Sequence, residues 1–80
     1  MLPRLIDARY IGGHRVWLRF DDGAAGEVDL AADLQGPVFE PLQNVETFRR
    51  FQLHAQLRTL VWPSGADFAP EFLHARLQGR

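Results

Sequence analysis

Eighty residues with nine Arg, no Lys, ten Asp or Glu and a formal net charge of −1 lack the basic excess that holds a protein to nucleic acid mainly through phosphates. No Cys is present, which excludes disulfides, thiolate nucleophiles and Cys-ligated zinc or iron–sulfur clusters, and without Lys the N-terminal amine is the only one left for a Schiff base. Hydrophobic residues at 46% and charged residues at 24% describe an ordinary folded chain, and one this small buries only about 60–65% of the surface of its unfolded form.

The opening "MLPRLIDARY" mixes charges into its first ten positions and carries no apolar run. Neither a signal peptide nor a membrane span is expected, and a cytoplasmic location is the simplest expectation. The whole chain, 1–80, reads as a single small α+β domain. Ile6, Ala8 and Tyr10 alternate with Asp7, Arg9 and Ile11; Val16, Leu18 and Phe20 with Arg15, Trp17 and Arg19; Val28 and Leu30 with Glu27 and Asp29. This predicts a three-stranded antiparallel meander with one apolar face. A one-residue slip would turn every side chain over. Two-residue turns at Gly12-Gly13 or Asp22-Gly23 would set Trp17 beside Ala8 and Leu18 beside Glu27, mixing the faces. Loops of three or five residues centred on Gly13 and Gly23, with a glycine-assisted bulge, keep the faces apart. They pair Tyr10 with Val16, Ala8 with Leu18, Ile6 with Phe20 and Leu18 with Val28.

Beyond Leu30, "DLAADLQGP" predicts one or two helical turns, with Asp29 as N-cap and Gly36-Pro37 as the stop. The Pro-bounded "GPVFEPL" is a connection whose Val38, Phe39 and Leu42 dock on the core. Asn44 caps a short helix through about Phe51 in which Val45 and Phe48 share a face. "FQLH" and "TLVW", separated by "AQLR", predict a second hairpin, and a helix from about Phe68 to Leu77 packs on the sheet.

"WPSGAD" is the densest cluster of special residue types. Pro63 suits the second position of a β-turn and Gly65 the fourth, so Trp62, Pro63 and Gly65 are read as a structural turn and Asp67 as the cap of the last helix. The chemical alternative, a small hydrolase with Ser64, Asp67 and His74 as a triad, lacks the G-x-S-x-G elbow and would use an aspartate already occupied by backbone. Glu71 and His74 form one E-x-x-H without a second copy, and His14, His54 and His74 show no metal-ligand spacing, so no metal and no cofactor is expected. Phosphate-binding glycine motifs are missing as well.

The polar sheet face carries the remaining candidates. In the expected register Arg9 faces Trp17, Trp17 faces Asp29, and Asp7, Arg19 and Glu27 form a neighbouring row. A solvated charge ladder is the plain reading. The functional reading makes Arg9, Arg15, Trp17, Arg19 and Asp29 a protein-binding surface, since Trp and Arg dominate interface hot spots. Weak nucleic-acid binding through Arg15, Trp17 and Arg19 is a further alternative, opposed by three carboxylates on the same face. The C-terminal apolar positions Phe68, Phe72, Leu73, Ala75 and Leu77 are expected to cover the chain's own sheet.

Phe20-x-Asp22-Gly23, Val28-Asp29-Leu30, Gly36-Pro37-Val38-Phe39-Glu40-Pro41-Leu42 and Trp62-Pro63-x-Gly65-Ala66-Asp67 together resemble a family of short bacterial proteins still catalogued as a domain of unknown function. The resemblance implies a small α+β fold with no established enzymatic activity. Some relatives continue into a helix-turn-helix domain and others are encoded beside a second small protein in suspected toxin–antitoxin pairs, so this chain, ending at Arg80, would be the stand-alone form. Ser64 stands where the family pattern has asparagine, which weakens the hydrolase alternative. The expectation is therefore a non-enzymatic interaction or regulatory module, antitoxin-like in a two-protein pair. Its partner would be encoded by the neighbouring gene; nucleic acid would be met only through that partner, no membrane is involved, and homo-oligomers are open.

Overall fold

Alternation of apolar and charged residues from Leu5 to Asp29 dictates a sheet with one dry face. In the computed structural model, which describes residues 3–78, β1 (Leu5–Gly12), β2 (Arg15–Phe20) and β3 (Ala25–Asp29) pair in that order as an antiparallel meander. Tyr10 lies opposite Val16 and Ala8 opposite Leu18, as the parity argument requires. The reversal itself contains Gly13 and His14, and a bulge between Tyr10 and Gly12 adds the odd residue that keeps the faces apart. Two pairings differ from expectation. A second bulge between Leu5 and Asp7 puts Leu5, rather than Ile6, opposite Phe20, so Leu5 enters the core and Ile6 is left 42% exposed. Leu18 faces Gly26, and Val28 faces Val16.

The second difference has a local cause. The Phe20 N–H donates to the Ala24 carbonyl (2.8 Å) and the Gly23 N–H to the Phe20 carbonyl (3.1 Å). The loop is therefore Asp21-Asp22-Gly23, of the expected odd length but centred one residue early, and the register of β3 moves by two. Side-chain parity survives. Gly23 takes the left-handed position at φ +92 that this geometry needs, and Asp22 Oδ1 accepts the Ala24 N–H at 2.9 Å.

The same loop recurs at Trp62: its N–H donates to the Ala66 carbonyl and the Gly65 N–H to the Trp62 carbonyl, both at 2.9 Å, with Gly65 at φ +94. "WPSGA" thus reverses the chain as "FDDGA" does, each with an aromatic residue at its base and glycine before alanine. The strand leading in is β5 (Leu60–Val61), paired with β4 (Gln52–Leu53) as the second hairpin. Between β4 and β5 Arg58 holds φ +54, the one non-glycine in that region among the described residues, at a cost of about 1 kcal/mol that glycine would avoid.

Between the two sheets a 3-10 turn (Ala31–Asp33) follows the Asp29 side chain, whose Oδ1 accepts the Ala31 N–H at 2.9 Å. Asn44 caps α1 (Val45–Phe48) through the Glu46 N–H; the helix stops three residues short of Phe51. The closing helix α2 (Pro70–Gln78) begins later than expected because Ala69, not Asp67, supplies the carbonyl that accepts the first helical N–H groups, from Phe72 and Leu73. Asp67 instead pairs with Val61 in an isolated antiparallel bridge.

The core is assembled on one side of the meander from Leu5, Leu18, Phe20, Leu42, Phe48 and Leu73, all without solvent exposure. Trp62 joins it: its indole lies 5.8 Å from the Phe48 ring and 5.7 Å from Phe68, and its N–H donates to the Phe48 carbonyl at 2.7 Å. Phe39 stacks on Phe68 at 4.8 Å and Leu42 is buried, whereas Val38, expected to dock, stands 57% exposed. On α2, Leu73 and Leu77 cover the core while Ala75 faces solvent and Phe72 is only stacked on Phe68 at 5.3 Å.

Gly23→Ala and Gly65→Ala meet no atom within 4 Å of the new Cβ but inherit a positive φ. Each is expected to lower unfolding free energy in urea by about 1–2 kcal/mol. Gly12→Ala, equally unobstructed and at no positive φ, should be neutral or gain up to about 1 kcal/mol.

Candidate functional site

The face of the meander turned away from the core is lined by Asp7 and Arg9 on β1, Arg15, Trp17 and Arg19 on β2, and Glu27 and Asp29 on β3. Trp17 stands at its centre, half-buried, with Arg9 opposite on one side and Glu27 on the other. The Arg9 guanidinium lies over the indole at 5.7 Å from its centroid, a cation–π contact of about 0.5–1 kcal/mol when exposed. Arg9 also reaches Asp7 at 3.6 Å, and Arg15 reaches Glu27 at 3.2 Å. These exposed pairs contribute roughly 0.2–1 kcal/mol each. Arg19 lies opposite Asp7 and Ala25 and forms no ion pair among the described residues. A shallow pocket of about 370 Å³ is bounded by Arg9 and Trp17.

Asp29, expected across from Trp17, lies across from Arg15 because of the two-residue register shift. Its carboxylate serves the Ala31 N–H, and its carbonyl accepts Arg76 Nη2 at 2.7 Å while Arg76 Nε donates to Asp33 at 3.0 Å. Asp29 therefore helps fasten α2 to the end of β3. Four of the five residues picked from the pattern, Arg9, Arg15, Trp17 and Arg19, still share the open face; Asp29 is at its margin.

Ser64, Asp67 and His74 are held by different parts of the fold. Ser64 is the exposed third residue of its turn, and Asp67 is in the bridge to Val61. His74 turns toward the first sheet, with Nε2 2.7 Å from Asp22 Oδ2 and its ring edge-on to Phe20 at 4.9 Å. The Ala24 N–H, and after it the His74 imidazole, hold the Asp22 carboxyl below the usual carboxylate range. The sequence offers no hint of this pair, whose members stand 52 positions apart.

The other two histidines are structural fasteners. His14 Nε2 lies 3.1 and 2.9 Å from the Leu42 and Gln43 carbonyls; two acceptors require the proton to be on that nitrogen. His54 Nδ1 accepts the N–H groups of Gln56 and Leu57 at 3.1 and 3.0 Å, which requires a bare nitrogen there. No three metal-ligating side chains gather among the described residues.

Because its pKa is lowered by folding, Asp22 contributes stability above its unfolded pKa that is lost as pH falls through the folded one. Asp22→Asn is expected to lower the urea midpoint at pH 7 and to flatten the fall in stability below about pH 4. Equilibrium unfolding of both proteins across that range checks it, and an unchanged acid limb would contradict the assignment.

Among the described residues no helix is long and apolar enough to cross a membrane. Neither the curated proteins nor the solved structures offer a match to this chain. The family described as "Protein of unknown function (DUF2442)" matches residues 5–79, a span that takes in both glycine-closed loops, the open sheet face and the closing helix. On that match the chain belongs to the DUF2442 family of proteins of unknown function.

Proposed function

We propose that this chain is a non-enzymatic protein-interaction module that docks a partner on the open sheet face around Trp17. One observation carries the reading. A Trp is kept half-open at the middle of a charged face, although burying a large side chain would add about 1.5–3 kcal/mol to a small and marginal fold. Beside it are a guanidinium already stacked on the ring and Arg19, which has no ionic partner among the described residues. Trp and Arg at the centre of a patch are the residue types whose truncation costs most at interfaces.

The biological form of this reading is a regulatory or antitoxin-like member of a two-protein pair acting in the cytoplasm; the family resemblance of the sequence motifs supports it. A hydrolase on Ser64, Asp67 and His74 finds no support in a histidine engaged by Asp22. Nucleic-acid binding through Arg15, Trp17 and Arg19 is opposed by Asp7, Glu27 and Asp29 on or beside the same face.

Co-expression with the product of the neighbouring gene, followed by calorimetric titration, tests the proposal. Trp17→Ala is expected to weaken the complex at least about thirtyfold and Arg19→Glu to weaken it further, with urea midpoints close to that of the parent. Sedimentation of the chain alone separates self-association from a heterologous partner. If the pair associates with the same affinity after Trp17→Ala, or never associates, this face is not the docking surface.

A further inference from the structure

A second surface, sharing no lining residue with the Trp17 pocket, lies where the segment before β1 meets the loop between β4 and β5 and the start of α2. Pro3, Arg4, Leu57, Arg58 and Pro70 line a groove there of about 550 Å³. Its walls combine two guanidinium groups with apolar surface, and Leu57 is 53% exposed. Among the described residues neither Arg4 nor Arg58 forms an ion pair. Asp21 accepts the backbone N–H of Arg4 at 3.2 Å.

Arg58 carries a second message. Every other described residue at positive φ is glycine: Gly13, Gly23, Gly26, Gly36 and Gly65. At position 58, where glycine would relieve the backbone, the chain keeps the longest cationic side chain instead. The conformation is imposed from both sides, since the Arg58 N–H donates to the His54 carbonyl at 2.8 Å and the Arg58 carbonyl accepts the Leu5 N–H at 3.0 Å. His54 fixes the rest of the loop by accepting the N–H groups of Gln56 and Leu57. Arg58 thus stands exposed on a hydrogen-bonded loop, beside an exposed leucine, and forms no ion pair among the described residues.

We propose that this groove binds an acidic, leucine-type peptide segment of a partner protein. An apolar side chain of the peptide rests against Leu57 and the two prolines, and flanking carboxylates take the guanidinium groups of Arg4 and Arg58. Charge complementarity selects the occupant: two arginines without an ion pair among the described residues favour carboxylate or phosphate, and the Leu57 and proline surface that lines the same groove favours a peptide side chain over a bare anion. The groove is independent of Trp17, so either surface can fail without the other.

The test is titration of the isotopically labelled full chain, followed by amide spectra, with a blocked peptide of Glu-Glu-Leu-Glu-Glu. Its Gln-Gln-Leu-Gln-Gln counterpart, inorganic phosphate and a single-stranded oligonucleotide serve as comparisons. The acidic peptide is expected to move the amides of Arg4, Leu57 and Arg58 in the millimolar range or below, with weakening as salt rises. Arg58→Gly, which suits the backbone at that position, should retain the fold and lose about tenfold in affinity. Arg4→Gln and Leu57→Ser provide second and third variants with the same expected direction. The proposal is overturned if the acidic peptide moves no amides at millimolar concentration, or moves those around Trp17 instead. It is equally overturned if the Gln peptide, phosphate or the oligonucleotide binds as well as the acidic peptide, or if all three variants bind it as the parent does.

Discussion

A chain of 80 residues has enough apolar material to cover one side of a three-stranded sheet, and every other feature follows from that limit. The turns, α1, the second hairpin and α2 all contribute to the side that holds Leu18 and Phe20. The opposite side is left to its own side chains, and it meets water with alternating guanidinium and carboxyl groups. Such a face would be unremarkable without Trp17. The half-buried indole, with the Arg9 guanidinium over it, is the feature on which the proposed docking reading rests.

With so little core to share, elements distant in sequence are joined by single well-placed polar contacts. Trp62 links α1 to the second hairpin by donating its indole N–H to the Phe48 carbonyl while its ring packs among Phe48, Phe51 and Phe68. Thr59 does the same on a smaller scale, its hydroxyl donating to the Phe68 carbonyl. α2 is fastened to the meander at two points, by His74 to Asp22 and by Arg76 to Asp33 and the Asp29 carbonyl. A helix of nine residues is too short to hold itself in water, so these ties and the burial of Leu73 and Leu77 stabilise it in place.

The arginines divide by the same accounting. Arg9, Arg15, Arg49 and Arg76 pair with carboxylates of the chain; among the described residues Arg4, Arg19, Arg50 and Arg58 form no ion pair, and all of these but Arg50 stand on the two surfaces proposed to meet partners. In a protein with no lysine these planar, always charged groups are suited to bidentate recognition of acids. The fold offers a mixed-charge face around Trp17 and a separate groove lined by Arg4 and Arg58, the two surfaces on which we propose that partners dock.

Alternation placed the three strands, kept Trp17 and its arginines on one face, and demanded an odd residue at each reversal, which the second meets with a three-residue loop and the first with a two-residue turn and a bulge; turn chemistry identified Asn44 as a cap and Trp62 to Gly65 as a turn. These features were legible because each depends on residues within one or two turns of each other. Other features were not. The two-residue shift of β3 depends on whether Gly23 stands at the centre or at the end of its loop, and both choices preserve parity. The exchange of Leu5 for Ile6 in the core depends on a bulge that matches β1 to Arg58 as well as to β2. Asp22 meets His74, and Arg4 and Arg58 come to line one groove, only after α2 and the second hairpin have packed. By itself the sequence determined the local periodicities and reversals, because backbone sterics and side-chain parity act between near neighbours. Tertiary structure alone decided which charged groups are paired and which are left facing outward, because that balance is set by distances between segments that the chain brings together only by burying a shared core.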